Sequence, residues 1–204
     1  IGDGPYSEVV QVKTQQGVPE QPTNLQGDAI DANSIQLRWD APEASSDTIR
    51  SYELYYNDSL RRQNVRITIE PPTNSYLLED LTPNTVYHFR VAAKSQRGEG
   101  ARTPTIQVRT LEYVPSAPPQ DVRGHALDYS SIEVRWLPPP AEAQNGVLTG
   151  YRVLYARRNS GAGVEEATRV TVDASQRSYT VHGLATWTEY RVWVLAFTSV
   201  GEGP

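Results

Sequence analysis

Cysteine is absent from these 204 residues. Its absence excludes disulfide frameworks, thiolate zinc sites and cysteine nucleophiles together. It leaves the compartment open, because some extracellular folds need no bridges. Histidine is scarce: His88, His125 and His182 are the only three, and no two share a metal-ligand spacing. They read as ordinary strand or surface histidines, and no metal or cofactor is expected. No apolar run approaches the ~20 residues that a membrane-spanning helix needs. No charged start followed by an apolar stretch marks a signal peptide, so the chain reads as mature sequence or an excised piece. Basic excess is missing as well: the net charge is −5, which argues against nucleic acid as a partner.

What is present is repetition. "SIQLRWDAP" (Ser34–Pro42) returns as "SIEVRWLPP" (Ser131–Pro139), which lays Trp136 on Trp39. "YELYY" at Tyr52–Tyr56 matches "YRVLY" at Tyr151–Tyr155, and "SYLLEDLTPNTVYHFRVAA" (Ser75–Ala93) matches "SYTVHGLATWTEYRVWVLA" (Ser178–Ala196). "GEG" occurs at Gly98–Gly100 and again at Gly201–Gly203. The opening "IGDGPYSEVVQVKT" resembles "GEGARTPTIQVRT" in the middle, and the closing "SVGEGP" starts the same motif a third time.

Each block alternates apolar with polar residues, the period of a half-buried strand. The inward sets are Ile35, Leu37 and Trp39; Tyr52, Leu54 and Tyr56; and Tyr87, Phe89, Val91 and Ala93. No window carries a helical period of useful length. The 15 prolines and 14 glycines are spread along the chain, as many short strands joined by turns require. Roughly seven strands per ~95 residues predict an all-β chain of two tandem immunoglobulin-like β-sandwiches.

At these residues the chain resembles fibronectin type III domains. Tyr87, six residues after Leu81, and Tyr190, six after Leu184, stand where that fold has its tyrosine corner, with the hydroxyl bonding back to nearby backbone. Thr186 replaces the usual proline, present as Pro83 in the first copy, so a less stiff second corner is expected. Trp39, Trp136, Tyr87 and Tyr190 are the expected structural core, each tryptophan beneath its corner. The expected boundaries are 1–14 for the last strand of a preceding repeat, 18–112 for one repeat, and 114–204 for a second lacking its last strand. "QQGVPEQP" and "EYVPSAPPQ" are then short joints stiffened by proline, and the second is expected to be lightly packed in an elongated rod.

A narrower resemblance rests on "VQVKTQQGVPEQP", "SDTIRSYELYY", "PSAPPQDV", "LPPPAEAQNGVLTGY" and "WTEYRVWVLAFTSVGEGP". Together these are similar to LAR-type receptor protein tyrosine phosphatases, at what look like the third and fourth type III repeats. The resemblance implies the extracellular side of a single-pass receptor at the cell membrane, acting in cell adhesion, axon guidance and synapse organisation. It also implies extracellular protein partners. Catalysis in that family uses a cysteine thiolate, so no catalytic residue carries over and this chain is not expected to be an enzyme.

Several residues raise narrower possibilities. Asn57-Asp58-Ser59 is a sequon expected in an exposed turn, a candidate for N-glycosylation. Arg61, Arg62, Arg66, Arg90 and Arg109, with Arg157 and Arg158 in the second copy, compose a candidate basic face. It would either dock a sulfated glycosaminoglycan or, the favoured reading, stay simply solvated. Trp193, Leu195 and Phe197, with Leu154 on the neighbouring strand, fall on the outward side, where the first copy has Arg90, Ala92 and Lys94. They read equally as a contact patch or as a patch covered by Arg152 and Arg191. Arg97-Gly98-Glu99 is one methylene away from an integrin-type Arg-Gly-Asp and reads as a turn, and "GEGART" and "GAGVEE" are turns, not phosphate loops. Because 1–14 supplies a spare strand and the second copy lacks one, strand exchange between copies of the chain is expected.

Overall fold

A computed structural model describes residues 4–12, 17–43 and 49–204. The first repeat has one sheet of three antiparallel strands in the order β1-β2-β5: β1 (Thr23–Ala29), β2 (Ile35–Asp40) and β5 (Ser75–Leu78). The facing sheet runs β4 (Val65–Ile69), β3 (Ser51–Asp58), β6 (Val86–Ser95), β7 (Gly98–Arg102), and β8 (Ile106–Arg109) also pairs with β6. β7 and β8 are two halves of one edge, interrupted at Thr103. That residue is buried, and its N–H and hydroxyl oxygen bond the carbonyl and N–H of Val91.

The second repeat repeats this plan. β9 (Gln120–Ala126), β10 (Ile132–Leu137) and β13 (Ser178–Val181) form one sheet, and β12 (Thr168–Asp173), β11 (Gly150–Arg157) and β14 (Tyr190–Phe197) the other. The period-two alternation places Ile35, Leu37, Trp39, Tyr52, Leu54, Tyr87, Phe89, Val91 and Ala93 in one buried cluster, with Tyr56 half-buried against it. Val134, Trp136, Tyr151, Val153, Val194 and Ala196 form a separate second cluster. Trp39 meets Tyr52 edge-on with ring centroids 5.5 Å apart, and Trp136 meets Tyr151 at 5.4 Å.

The tryptophan does not lie beneath the tyrosine corner. Tyr87 stacks on Phe89 at 6.4 Å and pairs across the ladder with Asp58, six residues beyond the Tyr52 that holds Trp39. Six residues of strand are about 20 Å, so the two aromatic centres occupy opposite ends of one core. The corner bond itself forms in both repeats: Thr82 N–H donates to the Tyr87 hydroxyl and Ala185 N–H to that of Tyr190, each at 2.9 Å.

Tyr190 departs from expectation by being only half-buried. In the first repeat Ile106 and Val108 of β8 cover that side of the core. A Cβ on Gly27 of β1 would lie 2.8 Å from Val108, whereas the nearest atom to one on Gly124 of β9 is 3.7 Å away. β9 is accordingly exposed along its whole length. Residues 4–12 form no strand and lie exposed; residues 1–3 and 13–14 of the expected spare strand fall outside the described residues.

Trp39→Ala is expected to destabilise the first repeat by about 3–5 kcal/mol. Thermal unfolding checks this, and a melting temperature equal to wild type would exclude Trp39 from the core.

Candidate functional site

The chain has no cysteine and, among the described residues, no cluster of His, Asp or Glu able to hold a metal ion; its surface offers sheet faces, grooves beside them and one joint. His182 shares a hydrogen bond with Ser131 at 3.1 Å, His88 lies near the start of β6, and His125 is exposed on β9.

On the outward face of the first repeat, alternation brings Glu53 and Tyr55 of β3 beside Arg66 and Thr68 of β4. Glu53 is buried, a feature that strand periodicity does not signal. It accepts hydrogen bonds from Arg66 Nε at 2.7 Å, Thr68 Oγ1 at 2.8 Å and Ser51 Oγ at 3.0 Å. Burial pushes its carboxyl pKa up, but the hydrogen bonds from Arg66, Thr68 and Ser51 and the charge of Arg66 outweigh that and hold it below its ordinary value. Tyr55 donates to Glu99 at 2.7 Å, and the Arg102 guanidinium lies 3.8 Å over its ring. Glu99 is therefore engaged within the sheet, and Gly98 adopts φ +130°, so Arg97-Gly98-Glu99 is a turn whose acid already has partners.

The matching face of the second repeat corrects the expected contact patch. Leu154 is fully buried, and Trp193, Leu195 and Phe197 are half-buried. The short 3-10 turn Val164–Glu166 packs against β11, and Ala167 beside it is buried. Arg152 lies over the Phe197 ring at 4.8 Å and ion-pairs with Glu202 at 2.9 Å, while Arg169 approaches the same carboxylate at 3.7 Å. The Arg152 stacking partner is thus Phe197, not Trp193. Glu202 matches Glu99 in the repeat alignment, and Arg152 matches Glu53, so the two faces use one layout with a charge reversed.

The arginines named as a basic face are divided: Arg62 and Arg90 line one groove of the first repeat with Arg102, and most of the others are already engaged. Arg66 is tied to Glu53, Arg90 donates to Thr105 Oγ1 at 2.6 Å, and Arg109 reaches Asn84. Arg158 pairs with Glu189. Arg61, Arg62 and Arg157 keep exposed guanidinium groups with no ion-pair partner among the described residues. Arg61 lines a groove against Ala141–Gly146, whereas Arg157 and Arg158 lie at the corresponding end of the next repeat. Asn57 is half-buried at the end of β3, earlier than the expected turn, and its amide donates to Asn64 Oδ1 at 2.9 Å.

The joint is bonded on both sides, contrary to the light packing expected of it. Thr110 N–H donates to Thr85 O, Leu111 N–H to Asp31 O, and Asn84 N–H to Leu111 O. The next residue changes allegiance: Glu112 accepts from Val147 N–H at 2.9 Å and from Ser199 Oγ at 3.0 Å. Tyr113 N–H donates to Asn145 O, the Asn145 amide to Val114 O, and Thr198 Oγ1 to Tyr113 O. Gly203 lets the joint lie close, because a Cβ there would sit 2.7 Å from Pro115.

Two sandwiches with paired tyrosine corners and a bonded proline joint place this chain in a definite class. It belongs to the fibronectin type III domain family, whose profile matches residues 20–109 and 117–204. Such domains are not catalytic. Over all of its length the chain is 45% identical to the Drosophila melanogaster tyrosine-protein phosphatase Lar, covering 10% of that protein. It is 45% identical over 208 aligned residues to the Mus musculus receptor-type tyrosine-protein phosphatase F, covering 11% of it, and 35% identical to human neogenin, covering 14%. The chain thus spans about a tenth of the phosphatases it matches, relatives whose type III domains lie in the extracellular region. In fold it is similar to the FN1–FN3 domains of chicken CNTN1, with a TM-score of 0.68, 24% identity, and 91% of this chain and 64% of that one covered. No helix among the described residues is long and apolar enough to cross a membrane.

Because Glu53 titrates lower in the folded chain than unfolded, its contribution to stability is present above the unfolded pKa of about 4.3 and fades as pH falls through the folded value. Denaturant midpoints of the first repeat are expected to drop as pH falls below about 4.3, and Glu53→Gln to flatten that part of the profile. Identical profiles for the two proteins would remove Glu53 from the account.

Proposed function

We propose that this chain is a stiff spacer in the ectodomain of a LAR-type receptor tyrosine phosphatase, corresponding to the third and fourth repeats. Anchored at the cell membrane and facing outward, it would set the reach of a receptor working in cell adhesion, axon guidance and synapse organisation. The observation that carries this reading is the joint, where consecutive residues Leu111 and Glu112 are bonded to opposite repeats. A connection without a free residue between anchors has little room to bend. Burial of Leu154 and the engagement of Arg66, Arg90 and Arg158 weigh against a large exposed patch as the main purpose.

A second reading is a binding module for a glycosaminoglycan or an extracellular protein. Exposed Arg61, Arg62 and Arg157 favour it, together with the half-exposed edge of Trp193. Retention on heparin above about physiological ionic strength would carry this reading over the first. N-glycosylation of Asn57 fits either reading and leaves its amide one N–H, where it now donates to Asn64 Oδ1. A glycan mass on the peptide holding Asn57, in protein from a secretory host, checks it.

Association between copies is proposed on a separate observation. The outer side of Tyr190–Trp193 has no ladder partner among the described residues, while Val10 and Val12 are 80% and 84% exposed at the spacing of Ile106 and Val108. The connector Gln15–Gln21 spans at most about 25 Å, too little to pass a whole sandwich, so pairing would occur in trans. Removal of residues 1–14 is expected to abolish concentration-dependent association of the 204-residue chain in sedimentation.

The spacer reading expects small-angle scattering from an elongated particle, and a broader distribution of inter-repeat distances for Glu112→Ala with both melting transitions retained. A folded-over particle, or a Glu112→Ala distribution equal to wild type, would refute it.

A further inference from the structure

The loop between β10 and β11 carries the chain's one Asn-Gly pair, Asn145-Gly146, and the joint accounts for both residues. Gly146 is buried, and a Cβ on it would lie 3.1–3.2 Å from three carbons of Glu112. A side chain at 146 would press on the carboxylate that accepts from Val147 N–H and Ser199 Oγ. Asn145 stands at φ +56°, in the left-handed region that asparagine tolerates better than most residues. Its carbonyl accepts from Tyr113 N–H at 2.8 Å, and its side-chain amide donates to Val114 O at 2.9 Å. Close packing against Glu112 thus selects glycine, and the turn with its amide donor selects asparagine.

That pair is also the dipeptide most prone to modify itself. The Gly146 nitrogen, shielded by no side chain of its own, can lose its proton and attack Asn145 Cγ. A bond forms between that nitrogen and Cγ, the bond from Cγ to Nδ2 breaks, and ammonia leaves with the proton. Water then opens the cyclic imide. At Cγ it gives aspartate on the original backbone; at the main-chain carbonyl it gives isoaspartate, with the chain running through the former side chain. One water is taken up and one ammonia released, with no oxidant or reductant. The closed joint opposes this reaction at two points. The Asn145 amide is held on Val114 O, which keeps Cγ from swinging over Gly146 N, and attack needs those two atoms in near-contact. Glu112 lies against Gly146, and its negative charge makes loss of the Gly146 proton more costly.

From these contacts we infer that Asn145 is a covalent modification site gated by the joint. It converts to aspartate or isoaspartate when residues 112–114 lift from the second repeat, and the product then holds the joint open. Asn145 and Gly146 line a groove with Arg61, Thr82 and Asn84 of the first repeat, so water reaches the pair once the amide is released. Lifting frees the amide and withdraws the carboxylate together, so both restraints fall in one event. Afterwards the acid at 145 has no N–H for Val114 O, and two oxygens face each other where a hydrogen bond stood. A second negative charge also enters the loop that Glu112 grips. Isoaspartate goes further: it lengthens the backbone by a methylene and turns the carbonyl that accepts from Tyr113 N–H into a free carboxylate. A brief opening is thereby recorded as a lasting loss of stiffness. The inference goes beyond the spacer reading and needs only the bonded joint.

Peptide mapping of the 204-residue chain after incubation at mildly alkaline pH, with isoaspartate read by its specific methyltransferase, tests this. Conversion at Asn145 is expected to be about tenfold or more faster in the chain unfolded in guanidinium chloride than in the folded chain. Thr198→Val with Ser199→Ala removes two hydrogen bonds to Glu112 and Tyr113 without touching the Asn-Gly pair. That double variant is expected to speed conversion about fivefold in the folded chain. Asn159, in an exposed loop away from the joint, is the internal reference and should convert equally in both folded proteins. Asn145→Asp is expected to broaden the distances between labels on the two repeats while both melting transitions remain. Equal conversion in the double variant and wild type, or in folded and unfolded chains, would overturn gating by the joint. Label distances for Asn145→Asp equal to wild type would overturn the lasting loosening. Neither result changes what scattering or Glu112→Ala should show, so the spacer reading stands or falls separately.

Discussion

Facing sheets of a sandwich keep their inner side chains interdigitated only while the bulkiest of them stay in register, and here that register is held by an indole against a phenol ring. Trp39 edge-on to Tyr52, and Trp136 tilted against Tyr151, tie the second strand of each repeat to its third strand in the facing sheet. From that fixed point the ladder of β3 with β6 carries the alternation to the opposite end, where Tyr87 stacks on Phe89 and closes the corner. The turns that bear on neighbouring repeats are attached to that closed end. Their placement depends on a contact six ladder positions away.

Much of this was legible from residue order. Alternation assigned Ile35, Leu37, Trp39, Phe89 and Val91 to the inside, and the spacing of Leu81 to Tyr87 marked the corner. What alternation cannot carry is the fate of the outward set. Glu53 and Leu154 both point away from the core by period, yet both are buried. Glu53 is enclosed by Ser51, Arg66 and Thr68, which converge on it only through pairing of β3 with β4. Leu154 lies between Arg169 and Trp193 in the ladder, on a strand against which the Val164–Glu166 turn also packs. The partner of Arg152 is hidden for the same reason: Phe197, the last residue of β14, meets Glu202 through an isolated bridge.

The joint departs from expectation in a different way. Proline spacing marks a short, stiff connection and says nothing of what it touches. The contacts are polar: backbone amides, the Asn145 amide and both oxygens of one carboxylate. Hydrogen bonds of this kind depend on where loops from Asp31, Asn84, Asn145 and Ser199 come to rest, and no pattern in the joint itself announces them. The covering role of β8 was legible only in retrospect. The second repeat shows it by contrast, in its half-exposed Tyr190 and bare β9.

Glu112 grips two loops of the second repeat, one through Val147 N–H and one through Ser199 Oγ, while Leu111 before it is held by the first repeat. Any turn of the second repeat against the first therefore falls on the few backbone angles between Leu111 and Glu112. Where a chain of such units fixes twist at each junction, equivalent faces recur at a constant angular phase. A partner that touches two units reads the angle between them as well as their surfaces, and a change at a single carboxylate would put every later face out of step.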